Sequence, residues 1–401
     1  MEKKTNTKAL TGIFAFCLGS MPSNMTLGLI AYIMQSYSTV STTTVAMIMT
    51  MPSLVAMIYA FFVGSLNTKI SAKNLLIFGQ ICLVIYAAIF CFLGGKAHIY
   101  VLLVGAALAG FGQGSNNTLL GVLLLDAVPD DQKRKNILGI AISAMSLGGV
   151  FFTTVGGFLA VNHWQHAYYL WFIIVLFIVL EFVCLPNRKP EGSKQPAADT
   201  QASEPAGKLP VMVWIIAIHY LFWFMFMYVY GLNVSEYVIT LYQLGTSAES
   251  GIAASLVTVG GVVAGMLFGT YSKFLKKWTV PFAMGLTAIG LYLPLVMTTN
   301  ILGIYICGLC GGFSMSAANP YIISHLAEIV PANLYSKAMS IYSGFMNVGM
   351  FIAIYVIAFL TKLVCGDAGD VHYKFVVGCA GALICTILSI PIYVVKGKKT
   401  A

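Results

Sequence analysis

The chain has 401 residues, of which 59% are hydrophobic and 9% charged, with a mean hydropathy of +0.87. A soluble domain carries about 25% charged residues, so this composition excludes an ordinary water-soluble globule and places the chain in the membrane class. The formal net charge of +9 would suit nucleic acid or an acidic partner, but the positions of the charges give it another meaning.

Spanning a bilayer takes about 20 mostly apolar residues. Runs of that kind cover 9–34, 43–65, 75–94, 99–125, 137–161 and 167–185, then 211–241, 250–271, 279–298, 301–327, 338–361 and 375–395. The first is too long for a signal-peptide core and has no clear cleavage site, so it reads as a retained helix. It contains Pro22 and Asn24, and the seventh contains Gly231 and Asn233. Both are long enough to tilt or break, which is tolerated where neighbours satisfy the freed backbone groups. Between the sixth and seventh runs lies PNRKPEGSKQPAADTQASEPAGKL, residues 186–209, without an aromatic residue. Such a stretch buries too little apolar surface to offset its ordering entropy and reads as a solvated linker. The expectation is an all-α membrane protein of twelve transmembrane helices: a six-helix bundle over 1–185, a flexible cytoplasmic linker over 186–209, and a second six-helix bundle over 210–401.

With both termini and the linker in the cytoplasm, Lys96, Lys362 and Lys374 fall outside and the other 19 of the 22 basic residues fall inside. This is the positive-inside pattern, so the net charge is a topology signal rather than a nucleic-acid surface. Of nine cysteines, eight sit in apolar runs and Cys365 alone in a polar loop. That is neither a disulfide framework nor a zinc pattern, and the Cys307-x-x-Cys310 pair within a Gly-rich run reads as small packing residues. No metal or cofactor is expected, and no phosphate-binding G-x-x-x-x-G-K-[ST] occurs.

The two halves repeat. GFGQGSNNTLLGVLLLDAVPDD from Gly110 lies on GFSMSAANPYIISHLAEIVPAN from Gly312 without a gap. Gly110, Phe111, Asn117, Val128 and Pro129 meet Gly312, Phe313, Asn319, Val330 and Pro331, and Asp126 meets Glu328. GSLNTKISAKN from Gly64 likewise faces GTYSKFLKKWT from Gly269. Parallel six-helix repeats are a known transporter construction, and with the cytoplasmic linker and repeated loops the chain resembles the major facilitator superfamily of secondary transporters over nearly its whole length. The resemblance implies two pseudo-symmetric six-helix bundles. It also implies a cytoplasmic gating loop of pattern G-x-L-x-D-R-x-G-R-R/K, met here by Gly64, Leu66, Asn67, Lys69, Ser71 and Lys73, whose acidic partners would be Asp126, Asp130 and Asp131. Asn67 replaces the family's Asp and Ser71 its second Gly. The R-x-x-Q-G motif keeps Gln113 and Gly114 but has Gly110 for Arg, and the exporter glycine pattern is half present at Gly148, Gly149, Gly156 and Gly157. Gly261, Gly265 and Gly269 fall every fourth residue of the eighth run and read as a packing face.

In the superfamily the first, fourth, seventh and tenth helices line the central cavity. Polar groups inside a membrane are costly and face a bundle interior, so the resemblance makes Asn24, Gln113, Asn116, Asn117, Asn233, Ser316, Asn319 and Asn347 cavity candidates, with helix–helix hydrogen bonding as the alternative for each. Tyr220 and Trp223 belong to an aromatic series on the seventh run that suits an organic solute or plain packing. Glu236 reads as a cavity carboxylate for a proton or a cation, or as an interfacial residue at the outer mouth. His219 is a second embedded ionisable candidate, with packing as the alternative, and Glu181, one turn before Leu185-Pro186, reads as interfacial. Both arginines are cytoplasmic and no Lys lies deep in a run, which argues against a strongly anionic substrate.

The reading is a secondary transporter of a small organic solute working by alternating access, proton-coupled or by exchange, acting as a monomer in a bacterial plasma (inner) membrane. A proton-linked exporter of lipophilic cations is the alternative. An integral-membrane enzyme or a transporter-like sensor is remote: His163 and His166 share a loop with no carboxylate, and the tails hold no signalling domain. The orientation has a direct check. An impermeant thiol reagent will label Cys365 from the outside only, and labelling from the inside only would overturn it.

Overall fold

The computed structural model describes residues 6–66, 69–128, 131–187 and 209–394, so most of the expected linker, 188–208, lies outside the described residues. The first run is broken. α1 (Thr7–Leu18) passes into a 3-10 segment, Pro22–Gly28, and then α2 (Ile30–Ser36), with a bend of 57° between the two parts. Pro22 stands at the first position of the 3-10 turn, where its fixed φ fits and its missing N–H costs nothing. There follow α3 (Thr42–Leu66), α4 (Ala72–Leu93), α5 (Ile99–Ala127), α6 (Asp131–Leu159) and α7 (Trp171–Cys184), the last entered by a 3-10 segment, Trp164–Leu170.

The seventh run is α8 (Val211–Met227), α9 (Val229–Ser235) and a π-helical turn, Glu236–Leu241. Its irregularities sit at Tyr228 and after Ser235 rather than at Gly231 and Asn233 themselves. Then come α10 (Ser247–Leu275), α11 (Thr279–Val296), α12 (Leu302–Ile329), α13 (Ala332–Cys365) and α14 (Val371–Ser389). The ends follow local rules. Ser71 caps α4 at Asn74 N, Asp370 caps α14 at Tyr373 N, and Gly366, at φ +86°, closes α13 in the left-handed conformation. Among the described residues there is no strand, and eleven helices are long and apolar enough to cross a membrane, or twelve when the bent first pair counts as one span. The chain is an all-α membrane protein.

It divides into two compact units, Met1–Ala197 with Ser247–Ile252, and Ala198–Thr246 with Ala253–Ala401. The first packs Ile13, Phe16, Leu76, Leu119 and Leu124 into its interior, and the second Val213, Ile216, Trp223, Ile322 and Tyr342. Large apolar side chains also point outward: Phe172, Phe182, Val211, Met266 and Ile387 are all more than 60% exposed. Water would penalise that surface heavily and lipid does not.

The repeat is visible in packing. A Cβ on Gly110 of α5 would lie 2.6 Å from the Pro52 carbonyl oxygen of α3, and one on Gly312 of α12 would lie 1.7 Å from that of Val257 on α10. The fourth span thus approaches the second, and the tenth the eighth, through an equivalent glycine in each unit. Of the expected stripe on the eighth run, Gly261 packs closely, a Cβ there lying 2.9 Å from Ser316 Oγ, Gly265 has open space around it, and the surroundings of Gly269 lie outside the described residues. The tightest approach on that run is made by the neighbouring Gly260, where a Cβ would lie 2.2 Å from the Leu309 carbonyl oxygen.

Candidate functional site

In the first unit the site grows from the break. The Asn24 N–H donates to Met21 O at 3.2 Å rather than to Ser20 O four residues back, and α5 serves the Ser20 carbonyl instead: Asn116 Nδ2 donates to it at 2.7 Å. One turn earlier, Gln113 Nε2 donates to Ser23 Oγ at 3.1 Å. Asn24 is half-buried with Nδ2 3.8 Å from Met21 Sδ. The side chain of Asn117 lies outside the described residues. A second tether was not foreseen. Thr26 Oγ1 meets Tyr86 OH of α4 at 2.5 Å and Tyr168 OH at 2.9 Å, all three buried.

The loop after α3 is described in part. Asn67 and Asp130 lie outside the described residues, as do the surroundings of Gly64 and the side chains of Asp126 and Asp131, and Lys69 is exposed. Lys73 Nζ donates to Phe182 O at 2.6 Å and lies 4.8 Å from that residue's ring centroid. It satisfies a last-turn carbonyl of α7, the favourable end of a helix for a cation.

In the second unit Tyr342 OH donates to Asn319 Oδ1 at 2.8 Å, joining α13 to α12. Tyr220 stands 4.7 Å from the Tyr342 ring and 5.3 Å from that of Trp223. Trp223 is fully buried and its Nε1 has no hydrogen-bond partner among the described residues. Asn233 and Asn347 turn back on their own helices, to Val229 O at 2.8 Å and Ser343 O at 2.9 Å. Ser316 is half-buried, its Oγ 2.9 Å from where a Cβ on Gly261 would stand. His219 Nε2 lies 2.9 Å from Cys385 O. A carbonyl only accepts, so this nitrogen carries the hydrogen and Nδ1 is a bare acceptor with no partner among the described residues.

Glu236 opens the π-helical turn, and its Oε2 lies 3.8 Å from Lys374 Nζ, with side-chain exposures of 14% and 11%. This corrects the outer-loop placement of Lys374. α14, capped by Asp370, begins at Val371, four residues before the run was expected to start, which puts Lys374 in the helix and buries it. A buried cation therefore exists, already paired. Beside it Tyr242 OH shares a 2.8 Å hydrogen bond with His372 Nδ1. Burial pushes the Tyr242 hydroxyl above its usual range, and the Asp370 carboxylate adds to this. Glu181 is corrected as well. It is fully buried rather than interfacial, and neither carboxyl oxygen has a hydrogen-bond partner among the described residues.

The first and seventh spans are thus broken, and the fourth and tenth carry polar side chains. The Major Facilitator Superfamily model matches residues 12–247 and again 217–400. The chain belongs to the major facilitator superfamily. A search of curated proteins finds no match. Among solved structures, the chain resembles the POT family transporter PepTSo at a TM-score of 0.74 and 9% identity, over 97% of this chain and 98% of that one. It also resembles the human organic anion transporter MFSD10 (TETRAN) at 0.63 and 13%, over 96% and 100%. At these identities the likeness is one of fold. With the family it makes the chain an integral membrane protein of membrane transport.

In this superfamily member the residues that sequence reasoning missed are Thr26, Tyr86 and Tyr168, Gln80 and Lys374. Gln80, polar and midway through an apolar run, was a legible signal; the others depend on neighbours far away in sequence. The Glu236–Lys374 pair has a measurable consequence. Removing one partner strands a buried charge, which costs about 3–5 kcal/mol, whereas replacing both by apolar residues is often neutral. Glu236→Gln alone will lower the melting temperature clearly, and Glu236→Gln with Lys374→Met will recover most of it; equal melting of the single variant and the parent would show that the pair does not form.

Proposed function

We propose that the chain is a secondary active transporter that moves a small organic solute by alternating access. The halves 1–185 and 210–401 act as the two moving bodies, joined by the 186–209 linker, around a site near the bilayer midplane. Transport runs on a proton gradient or by exchange. The reading extends to a monomer in a bacterial inner membrane with both termini cytoplasmic, and it includes no enzymatic step.

The observation that carries it is the amide and hydroxyl chemistry of the candidate positions. Gln113 commits Nε2 to Ser23, and Asn319 commits Oδ1 to Tyr342, so each half-buried amide presents its other end. Neutral donors and acceptors with aromatic neighbours suit a neutral organic solute. Export of lipophilic cations calls for a free membrane carboxylate at Glu236, which is instead paired with Lys374. The same pairing counts against an anionic cargo such as that of the human organic anion transporter that the chain resembles in fold, because the Lys374 ammonium is already neutralised.

A thermal-shift screen of the purified protein against metabolites and lipophilic cations, at two pH values, tests this. A ligand at 100 times its Kd adds about 2.7 kcal/mol of apparent stability. Stabilisation by a narrow class of uncharged metabolites is expected. Stabilisation by many unrelated lipophilic cations, stronger at high pH, would replace this reading with export.

A further inference from the structure

We propose that Glu181 is a proton-binding site inside the first unit, covered by α1 and exposed to proton exchange when α1 moves off α7. The use of that proton in coupling rests on the transporter reading above; the binding itself stands on the packing.

Among the described residues Glu181 is the one acidic side chain that is fully buried, and both its oxygens lack a hydrogen-bond partner. The elements packed against α7 offer no free cation to pair with it. α1 presents Lys8, which is exposed, and Cys17, which is buried. α4 presents Lys73, Cys82, Tyr86 and Cys91, with the Lys73 ammonium held at Phe182 O. The Trp164–Leu170 segment presents His166, Tyr168 and Tyr169, on the far side of α7 from its Glu181 end. An ionised carboxylate with neither a cation nor a hydrogen bond is strongly disfavoured in such a place. The neutral acid is the form this packing accepts.

Two features make the cover movable. α1 meets α7 through glycines on both sides of Glu181: a Cβ on Gly12 would lie 2.9 Å from Leu185 Cγ, and one on Gly19 would lie 2.7 Å from Phe177 Cδ2. α1 is also only 12 residues long, and its α-helical bonding stops at Leu18, ahead of the 3-10 segment Pro22–Gly28 and of the 57° bend that follows that segment before Ile30, so it can swing as a short lever. A second uncompensated polar group lies on α4, which packs against α7. Gln80 is fully buried on α4 with both amide atoms unpartnered among the described residues, two turns along the helix face from Lys73. A purely structural carboxyl would hold a helix end or a hydrogen bond, and Glu181 does neither.

The test uses the full-length protein in lipid nanodiscs at neutral pH. The infrared C=O stretch of protonated carboxyls is recorded for the parent and for Glu181→Gln, and the parent is treated with dicyclohexylcarbodiimide, to whose C=N bond a neutral carboxylic acid adds as an O-acylisourea. The expected result is a protonated-carboxyl band that Glu181→Gln loses, and an adduct mapped to Glu181. An unchanged band with no adduct at Glu181 overturns the proposal, and the adduct decides the matter even if the variant fails to fold. In proteoliposomes loaded with the solute found by thermal shift, Glu181→Gln is expected to lose accumulation driven by a pH gradient; full accumulation would remove Glu181 from coupling. If the parent moves no solute at all, the transport reading fails while the infrared and adduct results still decide the proton site.

Discussion

Inside a bilayer no water is available to satisfy a polar group, so each must find its partner within the protein. The rest of this structure depends on how that constraint is met at the broken first span. Pro22 and the 3-10 turn after it interrupt the α-helical bonding; α5 satisfies the Ser20 carbonyl, and side-chain bonds from three neighbouring elements tether the segment. Asn116 and Gln113 of α5 bond to Ser20 and Ser23, while Tyr86 of α4 and Tyr168 close on Thr26. The bend is therefore a built feature, held by side chains from the third, fourth and sixth spans.

The seventh span meets the same constraint by other chemistry. Its irregular end is a π-helical turn, a form that concentrates at functional positions. Tyr237 OH donates to Pro294 O at 2.7 Å, Glu236 pairs with Lys374, and Tyr242 bonds His372. Amides and hydroxyls serve the first break, and charges with hydroxyls serve the second. What distinguishes Glu181 and Gln80 is that no such repair accounts for them. They are polar side chains in an apolar interior with no backbone break to satisfy, which is the physical ground for giving Glu181 a task.

The fold was legible because spanning helices are set by composition over about 20 residues, a property that survives without knowledge of neighbours. The break at Pro22 was legible for a local reason, and Gly110 and Gly312 because they stand at equivalent places in two matching segments. Partners were not legible. Lys374 was read as an outer-loop residue because the last run was started four residues late, and Glu181 as interfacial because Pro186 follows closely. Neither the Asp370 cap nor the α1 cover can be seen from hydropathy. For the asparagines the sequence left cavity and hydrogen-bonding roles open together. Asn233 and Asn347 bond within their own helices, whereas Asn116 and Asn319 bond between helices, and that distinction depends on which face each presents.

The most direct measurement is amide hydrogen exchange over residues 19–30 in lipid nanodiscs, comparing the parent with Asn116→Leu. Side-chain hydrogen bonds between membrane helices are worth about 0.6 kcal/mol on average and up to about 1.7, so losing the bond to Ser20 predicts roughly 3- to 20-fold faster exchange there, with α11 and α14 of the second unit unchanged. Equal protection of this segment in both proteins would contradict the claim that α5 holds the bend.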